Sequence, residues 1–166
     1  MTEDEQQEDM TVEALQERVA TGRAEFAALW QDLPEAAMTL RPGVQEDWSV
    51  KDLIAHIVWW ERYLMERVDV WLKGDPPLTT GDDYNAINAR ILAENRDRDL
   101  ADVLADFDQS YQALQSQMRR LSDTQLNDRQ SYATKGARIL DYYAGNTFGH
   151  YEEHSDDLKR FCSQYS

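Results

Sequence analysis

Apolar residues recur along most of the chain at helical spacing. After an acidic start, Val12, Leu15, Val19, Phe26, Leu29 and Leu33 fall on one face, with Gly22 filling a gap. This predicts a first helix from Thr11 to near Asp32, because Pro34 disfavours helix at the residue before it. Residues 34 to 48 read as a connector containing Pro34, Pro42 and Gly43. Ser49 and Asp52 then form a capping-box variant that opens a second helix, which runs from Val50 to about Lys73. Its stripe is Val50, Leu53, Ile54, Ile57, Leu64, Val68 and Trp71. Gly81, Asp82 and Asp83 turn into a short helix, Tyr84 to Asn95, and Asp99 is a cap for the next. Leu100, Val103, Leu104, Phe107, Tyr111, Leu114, Met118 and Leu121 make the cleanest stripe of all. Residues 122 to 135 are polar and turn-prone, and a last long helix begins near Gly136 and reaches the C-terminus. The fold class that follows is all-α: a four-helix bundle with one short extra helix. Residues 1–10 are expected to be a disordered acidic tail, and 11–166 a single domain.

Two positions break the stripes. Glu61 stands within the aliphatic face of the second helix, as a buried acid or base or as the partner of an Arg such as Arg90. The last helix carries Ile139, Tyr143, Asn146, His150, His154, Asp157 and Phe161 on one face, apolar at both ends and polar in the middle. Buried polar groups are costly unless something satisfies them. His150 and His154 lie one turn apart, a spacing that lets both imidazoles reach one metal ion. The chain has 3 His, and the third, His56, lies on the flank of the second helix with Asp52, Trp59, Trp60 and Tyr63. If the second and fourth helices are neighbours, the three form one site with coordination positions left open. The competing arrangement is three separate His, two at a bundle end and one packed beside Trp60.

Several residues take secondary roles around that site. Glu153 and Asp157 are each placed to accept a ring N–H from a histidine three residues earlier, or to lie on a solvated acidic surface. Asn146 is a candidate catalytic residue, as is Glu61. Trp60 and Tyr63 are candidates for a cofactor- or ligand-binding wall. Gly145 and Gly149 signal a close approach of backbone or ligand, or a kink. Imidazole ligands suit Zn, Ni, Fe or Mn, and do not choose among them.

Composition narrows the partners. The net charge of -15 repels phosphate backbones and anionic membranes, so the expected partner is a small molecule rather than nucleic acid or membrane. The one Cys, Cys162, excludes an internal disulfide and fits a reducing cytoplasm. No signal peptide or transmembrane run is indicated. Trp59 points away from its helix's stripe, which makes a homodimer plausible.

Trp48-Ser-Val-Lys-Asp-Leu-Ile-Ala-His56, followed by Val-Trp-Trp-Glu, resembles the second-helix motif of the DinB/YfiT superfamily. His150-Tyr-Glu-Glu-His154 resembles its fourth-helix motif, and the order and separation of the two match. The resemblance implies a four-helix bundle in which His56, His150 and His154 hold a divalent metal. Members include transferases that use a low-molecular-weight thiol. Others are hydrolases or resistance proteins of the ClbS/DfsB branch, which act on or sequester reactive toxins. The Ser-Val-x-Asp start, Trp59-Trp60 and the Tyr84 to Asn88 segment look more like that second branch, whereas three retained His lean toward metal use.

Overall fold

A computed structural model describes residues 8–45, 47–75, 83–130 and 136–165. These form eight α-helices and no strand: α1 Val12–Ala28, α2 Glu35–Met38, α3 Val50–Leu72, α4 Tyr84–Asn95, α5 Leu100–Met118, α6 Asp123–Asn127, α7 Ile139–Asn146 and α8 Phe148–Cys162. A short 3-10 turn, Ser163–Tyr165, follows. The bundle is built from α1, α3, α5 and a fourth rod made of α7 and α8. Its core holds Leu15, Val19 and Phe26 of α1, Ile54, Ile57 and Leu64 of α3, Phe107 and Leu114 of α5, and Tyr143, Tyr151 and Leu158 of the fourth rod. The short helix α4 lies outside, covering Trp60 with Ile87 and Ile91.

The helix starts follow side-chain chemistry that is local in sequence. Thr11 caps α1 by accepting from the Ala14 N–H, and Asp83 caps α4 by accepting from Ala86. At α3 the Ser49 hydroxyl accepts from Asp52 N at 3.2 Å while the Asp52 carboxylate accepts from Ser49 N at 2.9 Å. Arg41 clamps that carboxylate through two bonds of 2.6 and 2.7 Å. The start of α3 is thereby fixed, and His56 sits one turn beyond Asp52. Asp99 begins α5 without a side-chain cap bond.

Four sequence expectations are revised. First, α1 ends at Ala28, and the chain continues to Leu33 in turns. Second, the two connectors contain short helices, α2 and α6, the latter held by a Ser122–Gln125 capping box. Third, the last helix is broken. Thr147 adopts φ -127 and ψ -107, outside the helical region, and its hydroxyl bonds back to the Tyr143 carbonyl at 2.6 Å. Gly149 is part of that break, since a Cβ there would lie 2.7 Å from the Ala144 oxygen. Fourth, Glu61 pairs not with Arg90 but with Arg23, at 2.8 Å. Arg90 faces Glu94 at 3.8 Å on the surface. The Glu61 position lies inside the bundle, where Arg23 of α1 reaches it.

Residues 1–7 of the expected tail, and the Gly81-Asp82 turn, lie outside the described residues. Asp9 pairs with Arg138 at 2.8 Å, and the Met10 N–H donates to Asn127 at 3.1 Å. No helix among the described residues is long and apolar enough to cross a membrane.

Glu61 is fully buried and accepts from Arg23 of α1, Ser110 of α5 and Tyr151 of α8. Burial pushes its carboxyl up, against the pull of Arg23 and the two hydroxyls. Replacing Arg23 with Met strands that carboxyl without its cation. Urea unfolding of Arg23→Met should show a loss of about 3–5 kcal/mol. A loss below about 1 kcal/mol would mean the pair does not brace the bundle.

Candidate metal centre

The break at Thr147 and the capped start of α3 bring two distant segments together. His56 on α3 faces His150 and His154 on α8. The Nε2 atoms of His56 and His150 are 3.0 Å apart, and those of His150 and His154 3.1 Å. Among the described residues these three form a group whose potential ligand atoms lie within 4.8 Å of one another. The sequence expectation that the three imidazoles share one place therefore holds, and the alternative of separate histidines does not.

The rings are largely withdrawn from solvent, and no Lys or Arg lines the cavity beside them among the described residues. His56 and His150 are buried, and His154 is half-buried. Burial, reinforced by the neighbouring imidazoles, lowers His56 from 6.5 to about 2. Burial and His154 lower His150 to about 3. Burial lowers His154 too, against the opposing pull of Glu153 and Asp157. All three rings are thus neutral at pH 7, the form that donates a lone pair to a metal.

The short contacts test whether an ion fits. A neutral imidazole has one N–H and one lone pair. The His150 Nε2 has a ring nitrogen on each side but can make only one good hydrogen bond to them. The other contact brings two ring nitrogens to hydrogen-bond distance without a well-directed proton between them. A cation held by all three Nε2 atoms removes that conflict. Two nitrogens bound at 2.0–2.1 Å and 90–110° apart are separated by roughly 3 Å, as both pairs are here. Two of the three pairs thus have the spacing of ligands on one ion, and the donor set could hold a divalent metal once the His56 and His154 nitrogens, within 4.8 Å of each other, draw closer. The other ring nitrogens, Nδ1 of His56 and of His150, are buried without a hydrogen-bond partner among the described residues. Glu153 gives the His150 Nδ1 no bond, and Asp157, expected beside His154, has other partners. Asp157 accepts instead from Gln45 at 3.2 Å and from Arg160 at 2.9 Å.

Beside the imidazoles lies a cavity of about 350 Å³, lined also by Trp60, Tyr84, Asn88, Gly145, Asn146 and Glu153. Of the residues proposed from sequence, Trp60 and Asn146 face it. Tyr63 does not, because it stacks on Trp59 at 5.5 Å and receives an Arg67 bond at 2.9 Å. Glu61 is absent from the cavity as well, being turned into the bundle with Tyr151. Tyr84 and Asn88 were not identified as site residues, since nothing in a short amphipathic helix says which partner it covers. Their signal is the aromatic flank of α3, which needs a covering element. Gly145 is unexplained by packing. A Cβ there would meet nothing within 4 Å, yet the glycine costs about 1 kcal/mol against Ala in a helix.

The depressed histidines make the metal-free protein acid-sensitive. Below 6.5 the unfolded chain takes up protons that the folded cluster refuses until about 3, so stability falls as pH falls through that window. Each such histidine contributes a slope of about 1 kcal/mol per pH unit near pH 5.5. The slope measured by urea unfolding between pH 6 and 5 should shrink by at least that amount in His150→Phe. An unchanged slope would mean that His150 is not held neutral.

The sequence matches the DinB superfamily over residues 18–156. No curated protein matches the chain significantly. Among solved structures, an uncharacterised protein from Escherichia coli UTI89 is similar with a TM-score of 0.75 at 13% identity, covering 93% of this chain and 94% of that one. A protein from Streptococcus pneumoniae reaches 0.78 at 13% identity, covering 91% and 90%. The colibactin self-resistance protein ClbS, in complex with a dsDNA, reaches 0.78 at 15% identity, covering 91% and 94%. With the helical bundle, the three-histidine group and a match across most of its length, this chain belongs to the DinB superfamily.

Proposed function

We propose that this protein is a divalent-metal-dependent enzyme that acts on a small electrophilic molecule, by transfer of a low-molecular-weight thiol or by hydrolysis, in detoxification or resistance. His56, His150 and His154 hold the ion. When bound, the ion supplies Lewis acidity and lowers the pKa of a water or thiol beside it, so that a nucleophile is available at neutral pH. The observation that carries this reading is the meeting of three neutral Nε2 atoms at the wall of an open cavity. Trp60 supplies an apolar wall, and Asn146 a polar contact near the reacting centre. Glu61 supports the reading at a distance, by binding the hydroxyl of Tyr151, the residue after His150.

A second reading is metal-free sequestration of a toxin or hydrophobic ligand, and the aromatic walls of the cavity, Trp60 and Tyr84, favour it. The ClbS structure contains DNA, but this chain's charge of -15 opposes phosphate, and we propose no nucleic-acid partner here.

Untagged protein stripped of metal and titrated with zinc in a calorimeter should bind one equivalent. His150→Ala should weaken that binding by more than the roughly 10–100-fold that loss of an outer partner costs. Zinc binding well below one equivalent, or unchanged in His150→Ala, removes the metalloenzyme reading. Under sequestration, His150→Ala keeps ligand binding and Trp60→Ala loses it.

A further inference from the structure

Four polar side chains meet inside the bundle, away from the cavity. Glu61 of α3 is fully buried and accepts from Arg23 of α1 at 2.8 Å, from the Ser110 hydroxyl of α5 and from the Tyr151 hydroxyl of α8. Stability alone is a weak reason for such a group. Apolar side chains of similar volume in place of a buried ion pair are often neutral or stabilising. What apolar packing supplies less well is direction. A hydrogen bond holds its two heavy atoms to within about 0.5 Å of one separation, whereas an apolar core loses uniqueness of packing before it loses stability.

Helix α8 needs that direction. Thr147 leaves helical geometry at φ -127 and ψ -107, so α8 does not inherit its rotation from α7. Successive helical residues point about 100° apart. With Tyr151 turned into the core, His150 is turned toward α3, where its Nε2 lies 3.0 Å from that of His56. Glu61 and His56 share α3, so both cross-links join the same two helices. From α1, the Phe26 ring stands 5.7 Å from that of Tyr151. The tolerance at the histidines is small. A side-chain end lies roughly 6 Å from its helix axis, so a turn of about 10° moves it by about 1 Å. Metal–ligand distances hold to about 0.2 Å. We infer that Tyr151 is a positioning residue for the three-histidine group: its hydroxyl, held by Glu61, sets the rotation of α8 against α3 and so brings His150 and His154 onto His56. The inference rests on the reading of that group as a metal site, and it gives the buried acid a part in that site.

Untagged full-length protein, stripped of metal, is titrated with zinc in a calorimeter well below the melting temperature of every variant. The cobalt(II)-loaded form of each is read by visible absorption, which reports the geometry of the ligands. Tyr151→Phe keeps the ring and loses the hydroxyl. It should still bind one equivalent of zinc, but at least about tenfold more weakly, with the cobalt bands displaced. Ser110→Ala removes a hydroxyl from the same carboxylate, but on α5. Its zinc affinity should stay within about twofold of wild type, as for an uncoupled position, with the cobalt bands unmoved. A quadruple variant, Arg23→Met, Glu61→Leu, Ser110→Ala and Tyr151→Phe, makes the whole cluster apolar. It should melt at or above the wild-type temperature and yet bind zinc at least about tenfold more weakly. It carries the test where Tyr151→Phe alone fails to fold. Wild-type zinc affinity in folded Tyr151→Phe, or in the folded quadruple variant, overturns the inference. So does an equal loss in Ser110→Ala. Each of these results leaves the metal reading standing. Absence of zinc binding by the wild-type protein removes the metal reading, and this inference with it.

Discussion

A single buried carboxylate ties the bundle together. Glu61 extends from α3 into the middle of the core and receives Arg23, Ser110 and Tyr151, so each of the other three long elements contributes a donor. A charge in that place is costly unless its lone pairs are all used. The requirement sets more than stability. It ties the rotation of α8 to that of α3, because Tyr151 reaches Glu61 only when α8 is turned one particular way. His150 precedes Tyr151 in sequence, and its ring then faces α3 on the side where His56 lies. The guanidinium of Arg23 also covers the Phe107 ring, 3.4 Å from its centroid, so the apolar and ionic parts of the core share one group.

The break in the fourth rod does complementary work. A continuous helix from Ile139 to Cys162 would carry α7 and α8 along one axis. The turn at Thr147, with Gly149 against the Ala144 carbonyl, interrupts the rod beside the open cavity, which residues of both α7 and α8 line. Gly22 lets α1 approach α8 closely, since a Cβ there would sit 3.1 Å from the Phe148 Cβ. Glycines at these contacts trade helix propensity for approach distance. On the outer side, α4 closes the aromatic flank of α3. Its C-terminal end is held by Lys51, whose ammonium donates to the carbonyls of Asn95, Arg96 and Arg98 at 2.6 to 3.3 Å. Burial lowers that lysine's pKa. The same turn of α3 that carries Lys51 also carries Asp52 and leads to His56, so the lid helix and the histidine are positioned from one anchor.

The site that results carries few formal charges, Glu153 being the one among the described residues lining the cavity. Burial keeps the imidazoles unprotonated, and no Lys or Arg stands among the described residues lining the cavity. A divalent ion would be the one positive charge in that space. The surface, at a net charge of -15, extends the same bias outward.

Determined by the sequence alone were the helical class, the capped start of α3, the short helix Tyr84 to Asn95 and the pairing of His150 with His154. Each depends on residues within about one or two turns of one another, where periodicity and capping chemistry act directly. The convergence of His56 on that pair was legible as an expectation, because only 3 His exist, but it required the second and fourth helices to be neighbours. The partner of Glu61, the bend at Thr147, and the membership of Tyr84 and Asn88 rather than Tyr63 in the cavity wall were decided by tertiary structure. Those depend on which helices are neighbours and how each is turned. A stripe states that a helix has an inner face, but its rotation is set by contacts with chain segments that lie 38 to 90 residues away, as for the bonds of Glu61 to Arg23 and Tyr151.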